Sequence, residues 1–175
     1  MAREKRWVAA GMAVALFAAL PALAADAPPA ASGVNAITQA VVGHGVLACA
    51  GRVNQVTQFV TGGQAAGALL FQIPGQPDQR LVSLSMEVAQ KDGPVAYASA
   101  SFAPNQANGC GAVYEAVVYW PQPCESVAAR QFAEAKKGRL LQKSIQVLDA
   151  PAGGARVFLM PAGSGCVSIK KETVL

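Results

Sequence analysis

The run GCGAVYEAVVYWPQPC, residues 109–124, constrains the fold of this chain more than any other stretch. Its β-branched and aromatic residues are the densest in the sequence and predict a strand over Ala112–Trp120. Such a strand separates its ends by about 30 Å, whereas the Cα atoms of a disulfide lie about 4.4–6.8 Å apart. Cys110 and Cys124, which flank the strand, are therefore not expected to pair with each other.

The chain contains four cysteines, all of them after the N-terminal apolar segment: Cys49, Cys110, Cys124 and Cys166. An even number of cysteines in an exported chain predicts two disulfides. Without a Cys110–Cys124 bond, two connectivities remain, Cys49–Cys110 with Cys124–Cys166 or Cys49–Cys124 with Cys110–Cys166. The sequence does not distinguish them. A redox pair or a zinc site is disfavoured because no C-x-x-C motif occurs.

The first 24 residues have the pattern of a secretory signal peptide. A basic start is followed by an uncharged apolar run, Val8–Ala24, which closes on a small-x-small sequence that predicts cleavage before Ala25. The alternative is a membrane anchor, for which this 17-residue run is at the short limit. After cleavage we expect a free periplasmic or secreted protein without a membrane anchor. Residues 25–33, ADAPPAASG, predict a disordered spacer.

The charge of the mature chain argues against nucleic acid as a partner. Removing residues 1–24 takes away three of the 14 basic residues and one of the 10 acidic residues, so the net charge falls from +4 to +2. The largest remaining basic clusters are pairs, Lys136-Lys137 and Lys170-Lys171. A surface that displaces counterions from a phosphate backbone needs more clustered charge than this.

Residues 34–175 have the length of a single domain. Alternating or β-rich runs predict strands at 68–73, 80–89, 94–102, 112–120, 140–148, 156–160 and 167–170. Val34–Val42 has the spacing of a short helix, whereas Arg52–Thr61 combines helical spacing with valine and threonine and is assigned to a strand. Glu125–Lys137, with an apolar stripe and Gly138 behind it, predicts the main helix.

This order of elements predicts an α+β fold. An antiparallel β-sheet of about six to eight strands would pack on one main helix, braced by two disulfides. A small β-barrel with one helix is the alternative.

Aromatic residues of the Ala112–Trp120 strand are the candidate binding residues. Alternation places Tyr114 and Trp120 on the more continuously apolar face, which we expect to meet the core, and Tyr119 on the other face. Tyr114, Tyr119 and Trp120, with aromatics of neighbouring strands, would either form a ligand-stacking surface or fill the core. Filling the core is the commoner role.

His44 is the only histidine and the candidate general base of an enzymatic hypothesis. A catalytic triad also needs a nucleophile and an orienting acid, and no G-x-S-x-G signature occurs. The glycine-rich stretches lack the lysine of a phosphate loop and the G-x-G-x-x-G spacing. We therefore predict no catalytic set, no metal site and no cofactor, and keep a small hydrolase using His44 as an alternative.

The segment GCGAVYEAVVYW, residues 109–120, resembles the SGxxY…W segment of the periplasmic lysozyme inhibitors, a group of small β-barrel proteins. The lysine and glycine that follow the tryptophan in that family are Pro121 and Gln122 in this chain. The resemblance implies that the chain inhibits a lysozyme, and it does not extend beyond this segment.

The expected function is that of a non-catalytic exported domain that binds a protein or envelope partner through its sheet or its loops. An export signal, a disulfide-braced scaffold and the missing catalytic set support it. The alternative binding role is a secreted inhibitor of a lysozyme or protease. Such an inhibitor would use an exposed loop, Pro104–Gly109 or Pro161–Gly165.

Overall fold

The computed structural model describes residues 33–175 except 91, 92 and 152. The predicted signal peptide, residues 1–24, and the predicted spacer up to residue 32 lie outside the described residues. Val34–Leu175 forms one compact unit.

Eight strands form a single antiparallel sheet. They are β1 (Ala66–Gln72), β2 (Val82–Val88), β3 (Ala96–Asn105), β4 (Gly109–Trp120), β5 (Lys136–Leu140), β6 (Gln146–Asp149), β7 (Ala155–Ala162) and β8 (Gly165–Val174). Their order is β1-β2-β3-β4-β8-β7-β6-β5, so β1 and β5 are the edges. The predicted antiparallel sheet is confirmed. The sheet is not closed, so the barrel alternative is not supported.

Three short helices lie against one face of this sheet: α1 (Ala36–Gly43), α2 (Ala50–Thr61) and α3 (Cys124–Gln131). The helices α1 and α2 pack over β2, β3 and β4, where Val53 belongs to the same buried cluster as strand residues such as Leu84 and Phe102. The helix α3 packs over β6, β7 and β8, where Val127 and Leu159 belong to one buried cluster. We call this side of the sheet the helical face and the other side the open face.

The structure does not support packing on one main helix. The predicted helix Glu125–Lys137 ends at Gln131, and Lys136–Leu140 becomes the edge strand β5. Gly138 does not cap a helix: a Cβ there would lie 2.7 Å from the carbonyl oxygen of Val147, so only glycine allows β5 to approach β6 this closely. The single strand predicted over 140–148 is in fact parts of β5 and β6 with a turn between them.

The strand prediction for Arg52–Thr61 is wrong, because these residues belong to α2. Their spacing buries Val53, Val56 and Thr57 together against the sheet, and this burial outweighs the β preference of valine and threonine. Gly62, with a φ of 59°, ends the helix in the left-handed conformation.

Two disulfides connect the helices to the sheet. Cys49, at the start of α2, is bonded to Cys110 of β4, and Cys124, at the start of α3, is bonded to Cys166 of β8. This is one of the two predicted connectivities, and the exclusion of Cys110–Cys124 is confirmed. Disulfides form and persist in an oxidising, extracytoplasmic environment. None of the helices in the described part of the chain has the length and apolarity needed to cross a lipid bilayer.

Removing either disulfide should destabilise the fold by about 4 kcal/mol, because the bonds close loops of 61 and 42 residues in the unfolded chain. The pairs Cys49→Ala/Cys110→Ala and Cys124→Ala/Cys166→Ala test this in urea unfolding without reductant. As a control, reductant should lower the unfolding midpoint of the wild type and leave a variant lacking all four cysteines unchanged. Midpoints equal to that of the wild type would contradict the prediction.

Candidate interaction surface

The three predicted binding residues do not form one surface. Tyr114 and Trp120 point to the helical face, where Tyr114 is buried and Trp120 is half-buried, as the alternation of β4 predicts. Tyr119 points to the open face and has 51% of its surface exposed. A stacking surface built from all three rings is therefore not present.

Trp120 stabilises the core beneath α3. Its indole Nε1 donates a hydrogen bond of 2.8 Å to Oγ of Ser168, which is buried on the neighbouring strand β8. Its ring packs against the buried cluster that contains Val127 and Cys166. The polar atom of the indole is thus satisfied internally, and Trp120 acts as a core residue.

Tyr114 belongs to a polar cluster at the rim of α2. Its hydroxyl donates a short hydrogen bond to Glu172, and Lys170 forms a 3.5 Å ion pair with the same carboxylate. The Nζ of Lys170 lies 4.9 Å from the ring centroid of Phe59 and 5.7 Å from that of Tyr114. Burial, followed by the hydrogen bond to Glu172 and the charge of that carboxylate, raises the pKa of Tyr114 above its usual value near 10.

This cluster holds elements together and is not arranged for proton transfer. A tyrosine with a raised pKa stays neutral at physiological pH and does not act as a base. The amine of Lys170 is engaged with both a carboxylate and two rings. Through these contacts Phe59 of α2 is linked to β4 and β8.

His44 lies at the C-terminal end of α1, where its backbone N–H caps the helix. It lines a cavity of about 370 Å³ between α1 and β1, together with apolar residues and Gln72. The Oε1 atom of Gln72 is buried and has no hydrogen-bond partner in the described region. No side-chain hydrogen bond joins His44 to a nucleophile or an acid among residues 33–90, 93–151 and 153–175, so this region holds no triad around it.

The open face carries a continuous apolar band across four strands. The register aligns Tyr97 of β3, Val117 of β4, Ile169 of β8 and Phe158 of β7 in one row. A second row continues the band with Tyr119, Val167 and Met160. Tyr97 and Tyr119 are about half exposed, at 49% and 51%. We call these seven residues the apolar band.

A polar row lies directly beside the apolar band. Glu115 of β4 accepts a 3.3 Å hydrogen bond from Oγ of Ser99 and forms a 3.5 Å ion pair with Lys171. Further along the row, Nε of Arg156 lies 3.1 Å from Oδ1 of Asp149. Exposed pairs of this kind add little to stability, but they leave the row nearly neutral.

Both tyrosines of the apolar band are held in place. The hydroxyl of Tyr97 lies 2.9 Å from Oγ of Ser85. The ring of Tyr119 crosses Gly165, where a Cβ would lie only 2.6 Å from its hydroxyl oxygen. Because this glycine leaves room for the ring, the aromatic surface is ordered before any partner arrives.

The sequence indicates Tyr119 of the apolar band and, as an aromatic residue of a neighbouring strand, Tyr97, but not the band as a whole. Alternation in β4 indicates that Val117 and Tyr119 share a face, and Val167 and Ile169 alternate in the same way in β8. Alternation does not give the register of the strands, and it is the register that places these residues next to Phe158 and Met160.

No protein-family model, curated protein or solved structure matches this chain. Across the described residues no three side chains of His, Cys, Asp or Glu come together as metal ligands. The shape and chemistry of the surface itself are therefore what indicate a function.

Replacing Tyr114 by phenylalanine should lower the free energy of unfolding by about 1–3 kcal/mol at pH 8, because a hydrogen bond to a charged carboxylate is lost. A raised folded-state pKa gives stability that is complete below pH 10 or so and is lost as the pH rises further. The difference between wild type and Tyr114→Phe should therefore shrink between pH 8 and 11 in urea unfolding. Tyr97→Phe is the control for loss of an exposed hydroxyl. A difference that is constant with pH would contradict this assignment.

Replacing Gly165 by alanine should destabilise the fold by about 1–3 kcal/mol through overpacking. The added Cβ would lie 2.5 Å from the carbonyl oxygen of Trp120 and 2.6 Å from the hydroxyl of Tyr119. Gly51→Ala is the matched control, because the helical position has free space and alanine is the better helix former. Thermal unfolding should separate the two variants, and equal melting temperatures would refute the clash.

Proposed function

We propose that this protein is a non-catalytic, exported binding module that holds a protein partner on the open face of its sheet. The observation that carries the proposal is that the three helices of the described residues all lie on the helical face. No helix of this part of the chain covers the apolar band, in which Tyr97, Tyr119 and Met160 are exposed and the other four residues are half-buried. An exposed, contiguous apolar patch with a polar rim is typical of a protein interaction site.

The composition of the open face supports a protein as the partner. Tyrosine and methionine are enriched at protein interfaces, and the apolar band contains Tyr97, Tyr119 and Met160. The acidic groups of the polar row are paired with Lys171 and Arg156, so the row, which ends at Lys136 opposite Asp149, presents little cationic field. An anionic membrane or a nucleic acid would require such a field.

The loops proposed for an inhibitor are tight turns. Pro104, Asn105 and Gly109 belong to β3 and β4, which leaves only residues 106–108 between these strands. The turn between β7 and β8 consists of Gly163 and Ser164 alone. Neither protrudes as a long inhibitory loop would, so no observation favours inhibition over binding on the sheet.

The double variant Tyr97→Ala/Tyr119→Ala should weaken partner binding about tenfold or more, since tyrosines often supply most of the binding energy. The oxidised protein is immobilised, exposed to envelope extract, and the retained proteins are quantified by mass spectrometry. Phe59→Ala, which removes an exposed ring from the helical face, is the control and should retain the partner. The proposal fails if the double variant, still folded, retains everything that the wild type retains.

A further inference from the structure

The two edges of the sheet differ in how they are protected. The edge strand β5, KKGRL, carries three positive charges and a register irregularity between Lys137 and Leu140. Both features block the addition of a further strand. The edge strand β1, AGALLFQ, carries no charge and no proline, and its seven residues pair with β2 in an unbroken register.

The outer edge of β1 is free within the described part of the chain. Ala66–Gln72 form backbone ladder bonds with β2 and no further backbone hydrogen bonds to residues that the structure describes. Alternate residues of an edge strand direct their N–H and C=O groups outwards, where they pair readily with another strand. Leu69, Phe71 and the following Ile73 are all more than half exposed along this edge.

The sequence of β1 is complementary to itself. Its first three residues are small and its last three are large, with Leu69 between them: Ala66, Gly67, Ala68, then Leu70, Phe71, Gln72. In antiparallel pairing about Leu69, each small residue lies opposite a large one. Gly67 would face Phe71 of the second strand, and an aromatic ring beside a strand glycine is a favourable pair.

We propose that β1 pairs with β1 of a second copy of this chain, antiparallel about a two-fold axis at Leu69. The result is a dimer in which the eight-stranded sheets of both copies form one continuous sheet. The pairing is isologous, because the same edge serves both copies. It goes beyond the proposed function, since it uses the edge of the sheet and not the apolar band.

The distribution of charged residues around β1 is compatible with pairing to a second copy of the chain. Between Val34 and Pro77 the only charged side chain is Arg52. The guanidinium of Arg52 is turned inward, with Nε donating to the carbonyl oxygen of Cys110 and Nη1 to the side chain of Gln55. No like charges therefore oppose each other across the axis, and depletion of charge is a mark of interface cores.

The side chains of β1 from the second copy would also contact apolar residues on both faces of the sheet. On the open face Leu69 meets its own symmetry mate. On the helical face Leu70 of the second copy lies beside Ala68, which lines the cavity of about 370 Å³ between α1 and β1. Strand addition next to such a cavity combines main-chain hydrogen bonds with apolar contacts.

A charge-swap experiment tests both the dimer and its register. Analytical ultracentrifugation of the oxidised protein at about 100 µM should show a dimer, because a dimer is favoured by concentration. Leu69→Lys and Leu69→Glu should each shift it to monomer, raising the dissociation constant about tenfold or more, because like charges meet at the axis. An equimolar mixture of the two variants should recover the dimer.

Leu141→Lys is the matched control at the opposite edge, since Leu141 is 58% exposed and Leu69 is 60% exposed. This variant should remain dimeric, and circular dichroism should show all variants folded. A monomeric wild type overturns the proposal. So does a dimer that Leu69→Lys leaves intact, a mixture that stays monomeric, or a dimer that Leu141→Lys disrupts as strongly.

Discussion

The register of β4 between β3 and β8 is the constraint on which the rest of the structure depends. Strand β4 pairs with both neighbours along most of its length. Paired residues lie on the same face, so the alternation of side chains in β4 also decides which residues of β3 and β8 lie on each face. Cys110 and Trp120 then stand on the helical face, where one is bonded to the start of α2 and the other packs beneath α3. Tyr119, one residue away, is forced to the open face. One strand thus supplies both the attachment of the helices and part of the interaction surface.

Much of the fold was predictable because alternation is a local signal. The runs around Val82–Val88 and Ala112–Trp120 each bury one set of side chains and expose the other, and both are strands. The spacing of Val34–Val42 also predicted the helix α1, but two other segments were assigned wrongly. Arg52–Thr61 is helical because its valines are buried by the sheet, and Lys136–Leu140 is a strand because β6 offers pairing partners. In both cases a distant contact overrides the local preference.

The candidate surface was only partly predictable for a related reason. Alternation separates Tyr119 from Tyr114, but it does not show which strands flank β4. Val117 is 52 residues from Ile169 in sequence, and only the pairing of β4 with β8 makes them neighbours. The same holds for Tyr114 and Glu172, whose contact adds to the effect of burial in raising the pKa of the tyrosine. When the register of a sheet brings distant residues together into one site, those residues do not form a motif in the sequence.

The free face and the free edge of this sheet are coupled by geometry. Antiparallel pairing of β1 with its symmetry mate requires a two-fold axis perpendicular to the sheet, so the open faces of both copies would point to the same side. Their apolar bands would then lie on the same side of one sheet. Leu69 and Phe71 of each copy would lie at its centre, and the polar Ser83, Ser85 and Glu87 of β2 would lie between them and each band. A partner with two equivalent sites would bind such a surface more tightly than a single copy, because its second contact is intramolecular. Charge on β5 and its absence from β1 would direct this assembly to one edge only.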